Sequence, residues 1–286
     1  MARVPGPATE AASRPIAVFD SGVGGLTVLH ELLVSLPHED FVYLGDTARF
    51  PYGEREPAEL ERFALEIAGL LLGEGAKLLV VACNSATAAA LPALETHMAD
   101  RGHPGEVVGV VTPESQLAVE ATHNGRVGLL ATPATVTSGA YARAVAAADP
   151  NVELVSVACP DLAPIIQSGF PFDQGVVDTV HAYCEPLRAA RVDTVILGCT
   201  HYPLVGPMLQ RALGRDVTLI NSGAAVAHRV ERALAVRGLE SPATDEGEYR
   251  FLCTDDVETF RTLGTRFLQM PLGDVRHVDL PATVAS

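Results

Sequence analysis

The stretch LLVVACNSATAAAL (78–91) decides the fold class. Leu78 to Ala82 form an uninterrupted apolar run, the polar trio Cys83, Asn84 and Ser85 ends it, and an alanine-rich helical segment follows. A short strand without polar alternation is buried on both faces, and a helix directly after it makes a βα unit. The same pattern extends outward in both directions. IAVF (16–19) and FVYL (41–44) come before it; VVGVV (107–111), VGLLA (127–131), ELVSV (153–157), TVILG (194–198), TLI (218–220) and RFLC (250–253) come after. Helical stretches such as 58–73, 86–99, 135–148, 173–190 and 223–237 lie between them. The alternation predicts an α/β protein with parallel sheets covered on both faces.

An internal echo refines this expectation. Asp20, Asp46 and Cys83 follow the first three strands, and Thr132, Cys159 and Cys199 follow three later ones. The offsets are 132−20 = 112, 159−46 = 113 and 199−83 = 116. Near-constant spacing predicts two similarly wound, doubly wound parallel-sheet halves from an ancient duplication. The expected division is a flexible arm at 1–14, a discontinuous first domain at 15–106 plus 217–286, and a second domain at 107–216. Ligands of open parallel sheets bind outside the carboxyl ends of the strands. Two such halves facing each other would bring Cys83 and Cys199 to one cleft from opposite sides.

Composition narrows the function classes. With 286 residues, 48% of them hydrophobic and 19% charged, the chain can bury large cores. Thirty-five acids against twenty bases give a net charge of −15, a poor basis for binding nucleic acid. Lys77 is the only lysine, and it opens a strand at the end away from any catalytic cleft, which argues against pyridoxal phosphate. The five cysteines (83, 159, 184, 199, 253) include no CxxC pair, so no zinc knuckle is indicated. No apolar run approaches the roughly 18 residues of a membrane span, and the N-terminus lacks a signal-peptide core. A cytoplasmic setting with reduced thiols is expected.

Two cysteines stand apart. Cys83 lies where a buried strand meets a helix, with Asn84 and Ser85 as candidate caps, and backbone N–H groups at a helix start favour thiolate over thiol. Cys199 in VILGCTHYPL (195–204) repeats the placement, with Thr200 and His201 after it; His201 can relay a proton or orient a carboxylate. A lone free cysteine is most often a small core residue, and Cys159, Cys184 and Cys253 read that way. DSGVGGL (20–26) lacks the spacing of a dinucleotide loop and has no GK[ST]; it reads as backbone closely approaching a small ligand, with Asp20 and Ser21 at the strand end. Asp20 can accept from an ammonium or hold a thiol proton, or simply cap a turn. GDTARFPYG (45–53) carries Asp46, Tyr52 and Gly53, a turn able to offer N–H groups and a phenol to a carboxylate. TPATVTSGAY (132–141) places Thr132, Thr135 and Ser138 at a strand-to-helix junction suited to an anion or to ordinary capping.

In this order and spacing, DSGVGGLTV, GDTARFPYG, VVACNSATA, TPATVTSGAY and LGCTHYPL resemble the cofactor-independent aspartate/glutamate racemase family, and glutamate racemases in particular. The resemblance runs from about residue 16 to about 268. It implies two pseudo-symmetric α/β domains with one active site between them, no cofactor and no metal. It implies that Cys83 and Cys199 are the catalytic pair, assisted by Asp20, Asp46 and His201. Substrate contacts would come from Asp20, Ser21, Tyr52, Gly53, Asn84, Ser85, Thr132, Thr135, Thr200 and His201. Two positions depart from the family pattern. Ser85 replaces a usual threonine but keeps the hydroxyl. Gln167, in CPDLAPIIQSG (159–169), replaces a usual glutamate and has no charge with which to hold His201 cationic.

The chemistry so implied is inversion at Cα of glutamate by two thiols on opposite faces, which avoids turning the substrate within the site. The product D-glutamate would serve peptidoglycan synthesis, with a small-molecule substrate, no nucleic-acid or membrane partner, and a homodimer compatible with the family. The rival readings are an aspartate or hydantoin racemase of the same superfamily, a two-lobed amino-acid-binding protein without catalysis, and a redox sensor joining Cys83 to Cys199.

Overall fold

The computed structural model describes residues 7–103, 105–169 and 173–280. The strands in chain order are β1 (Ile16–Asp20), β2 (Phe41–Gly45), β3 (Leu78–Val81), β4 (Val107–Gly109), β5 (Arg126–Ala131), β6 (Glu153–Ala158), β7 (Thr194–Gly198), β8 (Thr218–Ile220), β9 (Tyr249–Cys253) and β10 (Val275–His277). They form a six-stranded sheet, β10-β9-β2-β1-β3-β4, and a four-stranded sheet, β6-β5-β7-β8. Every pairing is parallel. The block β2-β1-β3-β4 and the whole second sheet share one winding order, with β1 to β4 matched by β5 to β8. The sequence echo thus corresponds to a repeated topology, and β3 and β7, which precede the two cysteines, are counterparts.

The unbroken hydropathy of the strands has a direct cause. Ile16 and Val18 of β1 pack with Phe41, Tyr43, Leu78 and Val80 on one face. Ala17 and Phe19 pack with Val42, Leu44, Leu79 and Val81 on the other. Both faces are covered by helices, so adjacent residues are equally buried and no polar alternation survives. The first core is continuous across both sheets, taking in Leu129, Ile196 and Leu197 of the second.

Several expectations are corrected. Val107–Gly109 pairs with β3 in the first sheet and Thr218–Ile220 pairs with β7 in the second, so each lies one strand across the expected boundaries at 106/107 and 216/217. We therefore propose that the chain passes between halves after β4 and after β8. The run 107–111 is strand only to Gly109, because Val111 already begins helix Val111–Ala121. Gly139, at φ +66°, divides 135–148 into helices Pro133–Ser138 and Ala140–Ala148. β10 was not anticipated; it is three residues long, and two of the three are polar. Of the expected flexible arm, residues 1–6 lie outside the described residues, whereas Pro7–Ala12 is helical and Ala12 is buried. The Ala12 carbonyl accepts from Lys77 Nζ at 2.5 Å, and the same ammonium pairs with Glu39 at 2.5 Å. The one lysine is thus a buried structural cation remote from the strand ends that carry the cysteines.

Candidate active site

Cys83 and Cys199 line one cavity of about 450 Å³ of empty space between the two sheets. From the first half come Ser21, Tyr52, Gly53, Cys83, Asn84 and Ser85; from the second come Thr132, Cys199, Thr200 and His201. Strand twist and the shared winding order put these counterpart loops at the carboxyl edges of their sheets. All five cysteines are free thiols. Among the described residues no cluster of three or more His, Cys, Asp or Glu side chains suits a metal ion. Of the residues that the resemblance assigned to catalysis or substrate contact, Asp20, Asp46 and Thr135 do not line the cavity; each lies one layer behind it, bonded to a residue that does.

Cys83 precedes the first turn of helix Asn84–Asp100, and neither Asn84 nor Ser85 caps that helix through its side chain. The N–H of Ala86 and the hydroxyl and N–H of Ser21 donate toward its sulfur and favour thiolate. Burial and the nearby Asp20 carboxylate outweigh them and push the thiol up to about 12. The expected preference for thiolate is therefore reversed. Asp20 is fully buried. Its Oδ2 accepts the Gly22 N–H at 3.1 Å, and its Oδ1 lies 3.4 Å from the donating Thr200 hydroxyl. Burial pushes Asp20 up to about 6, against the pull of those donors.

Cys199 is held differently. β7 is followed by a tight turn in which the Cys199 N–H donates to the Leu197 carbonyl at 2.8 Å, and then by a 3₁₀ turn at Tyr202–Val205. No α-helix starts at this sulfur. Burial holds the thiol well above its ordinary value, with the His201 N–H pulling the other way. The His201 ring lies between Phe50 and Phe267, with centroids 5.6 and 5.1 Å away, and burial lowers it to about 3. Its Nε2 donates to Gln167 Oε1 at 2.9 Å. That acceptor assigns the single proton of the neutral ring to Nε2, leaving the Nδ1 lone pair 3.9 Å from Cys199 Sγ.

One end of the cavity is lined with hydroxyls drawn from both halves. Ser85 Oγ lies 2.9 Å from Thr132 Oγ1 and 3.1 Å from Thr135 Oγ1, and the two threonine oxygens are 3.0 Å apart. Gly53 approaches this cluster so closely that a Cβ there would come 2.8 Å from Thr132 Cβ. The Tyr52 phenol turns away from the cavity and donates to Asp46. Asp46 also accepts from Arg49 at 2.6 Å and from Thr254 at 2.8 Å. The turn therefore has backbone N–H groups, not the phenol, to offer a carboxylate, and Asp46 braces the turn from behind.

The glycine-rich motif also serves a different contact from the one expected. A Cβ on Gly24 would lie 2.5 Å from His201 Nδ1 and closer still to Thr200 Oγ1. Gly24 lets the first half seat against the Thr200–His201 loop of the second, so the close approach is between domains. Sequence reasoning missed the apolar walls Phe50, Pro160, Ala163 and Pro164, for which the Phe-Pro and Pro-rich loops were the available signal. It also missed Glu114. That carboxyl is fully buried in the first turn of its helix, and burial pushes it up to about 8 against donors from Ser222, Tyr141 and Asn84. A glutamate at a helix start ordinarily faces solvent, so the sequence carried no signal for it.

The family model for Asp/Glu/Hydantoin racemase matches residues 27–230. A glutamate racemase of Geobacter metallireducens is 42% identical over 269 residues, 94% of this chain and 98% of that one. Among solved structures, glutamate racemase isoform RacE1 of Bacillus anthracis superposes with a TM-score of 0.88 at 36% identity, covering 94% of this chain and 99% of that one. The glutamate racemase of Francisella tularensis, solved in complex with D-glutamate, superposes with a TM-score of 0.87 at 33% identity, covering 94% and 98%.

Proposed function

The chain belongs to the Asp/Glu/hydantoin racemase family, alongside its glutamate racemases, and from that premise we propose that it interconverts L- and D-glutamate by proton transfer between Cα and two cysteines. The observation that carries the reading is the placement of Cys83 and Cys199, from counterpart strand ends of two sheets, on one cavity. A substrate between them presents one face of Cα to each sulfur.

The local geometry supports the following chain of proton transfers. Burial raises both sulfurs above their ordinary value, so both are neutral thiols at neutral pH. The α-ammonium of an entering glutamate brings a positive charge that favours thiolate. Asp20, near 6, is ionised at neutral pH yet basic enough to take the Cys83 proton. On the other side the His201 Nδ1 lone pair faces Cys199 and accepts its proton once the negative charge of the substrate's two carboxylates raises the ring from its value near 3. The thiolate removes the α proton, and the opposite thiol delivers its own proton to the other face. The resemblance to glutamate racemases implies that Cys83 acts on D-glutamate and Cys199 on L-glutamate. The carbanion has no cofactor to spread its charge, so fixed N–H and hydroxyl donors in a water-poor cavity must hold the developing enolate. Ser85 and Thr132, braced from behind by Thr135, suit the side-chain carboxylate with the Tyr52–Gly53 backbone; Asn84, Ser21 and Thr200 suit the α-amino-acid end.

The reading puts forward a cytoplasmic reaction that supplies D-glutamate for peptidoglycan with no nucleic-acid or membrane partner; a homodimer is compatible with it. Among the described residues no helix is long and apolar enough to cross a membrane. The test is circular dichroism of L- and D-glutamate with purified protein and no added cofactor. Decay of both signals to a common zero is expected. Decay with aspartate alone would move the substrate to the shorter acid, and no decay with either would reject the reading.

A further inference from the structure

Side chains from four helices meet at one buried carboxyl behind the cavity. Glu114 Oε2 accepts from Asn84 Nδ2 at 3.1 Å and from the Tyr141 hydroxyl, while Oε1 accepts from the Ser222 hydroxyl. Asn84 Nδ2 also donates to the Tyr141 oxygen at 2.7 Å. Both hydrogens of the Asn84 amide are then used. Its Oδ1 is buried and has no hydrogen-bond partner, although Asn84 lines the cavity. Buried acceptors are nearly always satisfied, so an unmet one beside a substrate cavity calls for a donor from the substrate. Glutamate carries one such donor at neutral pH, its α-ammonium.

We propose that Glu114 is a positioning residue: with Tyr141 it takes the nitrogen end of the Asn84 amide and so presents Oδ1 to the substrate ammonium. The inference rests on the glutamate reading of the cavity. An amide can rotate by half a turn at little steric cost, and only its partners decide which end faces the ligand. Oε2 accepts from the amide in either form of the carboxyl, because a proton on Oε1 can be given to Ser222 instead. Neither Tyr141 nor Ser222 can replace Glu114 here. Tyr141 alone leaves one amide hydrogen unmatched, and Ser222 bonds only Oε1. The location adds rigidity, since Glu114 follows β4 and Ser222 follows β8, the two places where the chain passes between sheets.

The experiment compares steady-state kinetics of the parent, Glu114→Gln, Asn84→Ala and the double variant with both glutamate enantiomers. Glutamine brings its own NH₂ group into the network and removes the preference for the amide's orientation. KM is expected to rise about tenfold for both enantiomers, the loss of one hydrogen bond to a charged group, with kcat within about twofold. In the Asn84→Ala background the same substitution should change KM no further. A parent-like KM for Glu114→Gln, or an effect that adds to that of Asn84→Ala, overturns the proposal. If Glu114→Gln does not fold, Tyr141→Phe is read the same way. It removes one of the two partners of Nδ2, so a KM increase of about threefold is expected, and a parent-like KM overturns the proposal. Failure of the parent itself to racemise glutamate would instead strike the functional reading.

Discussion

The two sulfurs occupy counterpart positions after β3 and β7, yet they are tuned by different means. Cys83 stands at a true α-helix start, with Ser21 and Ala86 donating to it and a carboxylate, Asp20, as the nearby base. Cys199 stands in a tight turn leading to a 3₁₀ segment, with a neutral imidazole beside it whose tautomer is set by Gln167. A repeated topology supplies the symmetry that a two-faced reaction needs. The bases behind each sulfur need not match, because each thiol gives its proton to its base in only one direction of turnover and to Cα in the other. Burial raises both thiols, so what differs is the source of proton removal and not the resting state of the sulfur.

The comparison can be broken at several points. Asp20→Asn should have the largest effect after loss of a thiol, roughly 10²–10⁴-fold in kcat/KM, the usual contribution of a placed acid–base group. Asp20 must be ionised to act, and its value is near 6, so parental kcat/KM should fall as pH drops through about 6. That acid limb should disappear from the residual activity of Asp20→Asn. A limb that persists at the same pH would assign it to another group. His201→Asn should cost about 10²-fold in the L-to-D direction, with a smaller loss from D to L. An equal loss in both directions would mean that His201 serves both thiols.

Gln167→Glu sharpens the asymmetry. A carboxylate at the Nε2 proton raises His201 from its present value near 3, because an opposite charge favours the cation. A cationic His201 cannot accept the Cys199 proton, so the L-to-D rate should acquire a new loss toward acid pH while the D-to-L profile stays in place. Coincident profiles in both directions would show that the glutamine is catalytically neutral. The smallest expected effect on chemistry comes from Gly24→Ala. The added methyl must displace Thr200 or His201 and should destabilise the fold by about 1–3 kcal/mol, read as a lowered melting temperature. An unchanged melting temperature would mean that the interdomain seat is loose.

Much of this was legible before the structure, for a physical reason. Doubly buried strands leave unbroken apolar runs, and residues that follow such runs sit at the carboxyl edge where parallel sheets bind ligands, so Cys83, Cys199, Ser21 and Thr132 were found by position alone. What stayed hidden depended on direction and depth. Nothing in PYG indicates that the Tyr52 phenol turns back to Asp46, or that Gly24 is there for His201 and not for a ligand. The strands at 107 and 218 were assigned to the wrong halves because hydropathy does not encode which sheet a short strand joins. Glu114 was missed because its burial is a property of four helices meeting, not of its neighbours in sequence.

The central claim is that each sulfur serves one face of Cα, and hydrogen exchange in D₂O tests it most directly. Cys83→Ala and Cys199→Ala are each incubated with each enantiomer, and deuterium at Cα is followed by proton NMR alongside optical inversion. Neither variant should invert glutamate at a measurable rate. Cys83→Ala should wash deuterium only into L-glutamate, by way of Cys199, and Cys199→Ala only into D-glutamate, by way of Cys83. Inversion at the parental rate by either variant, or exchange of both enantiomers by one of them, would contradict the account.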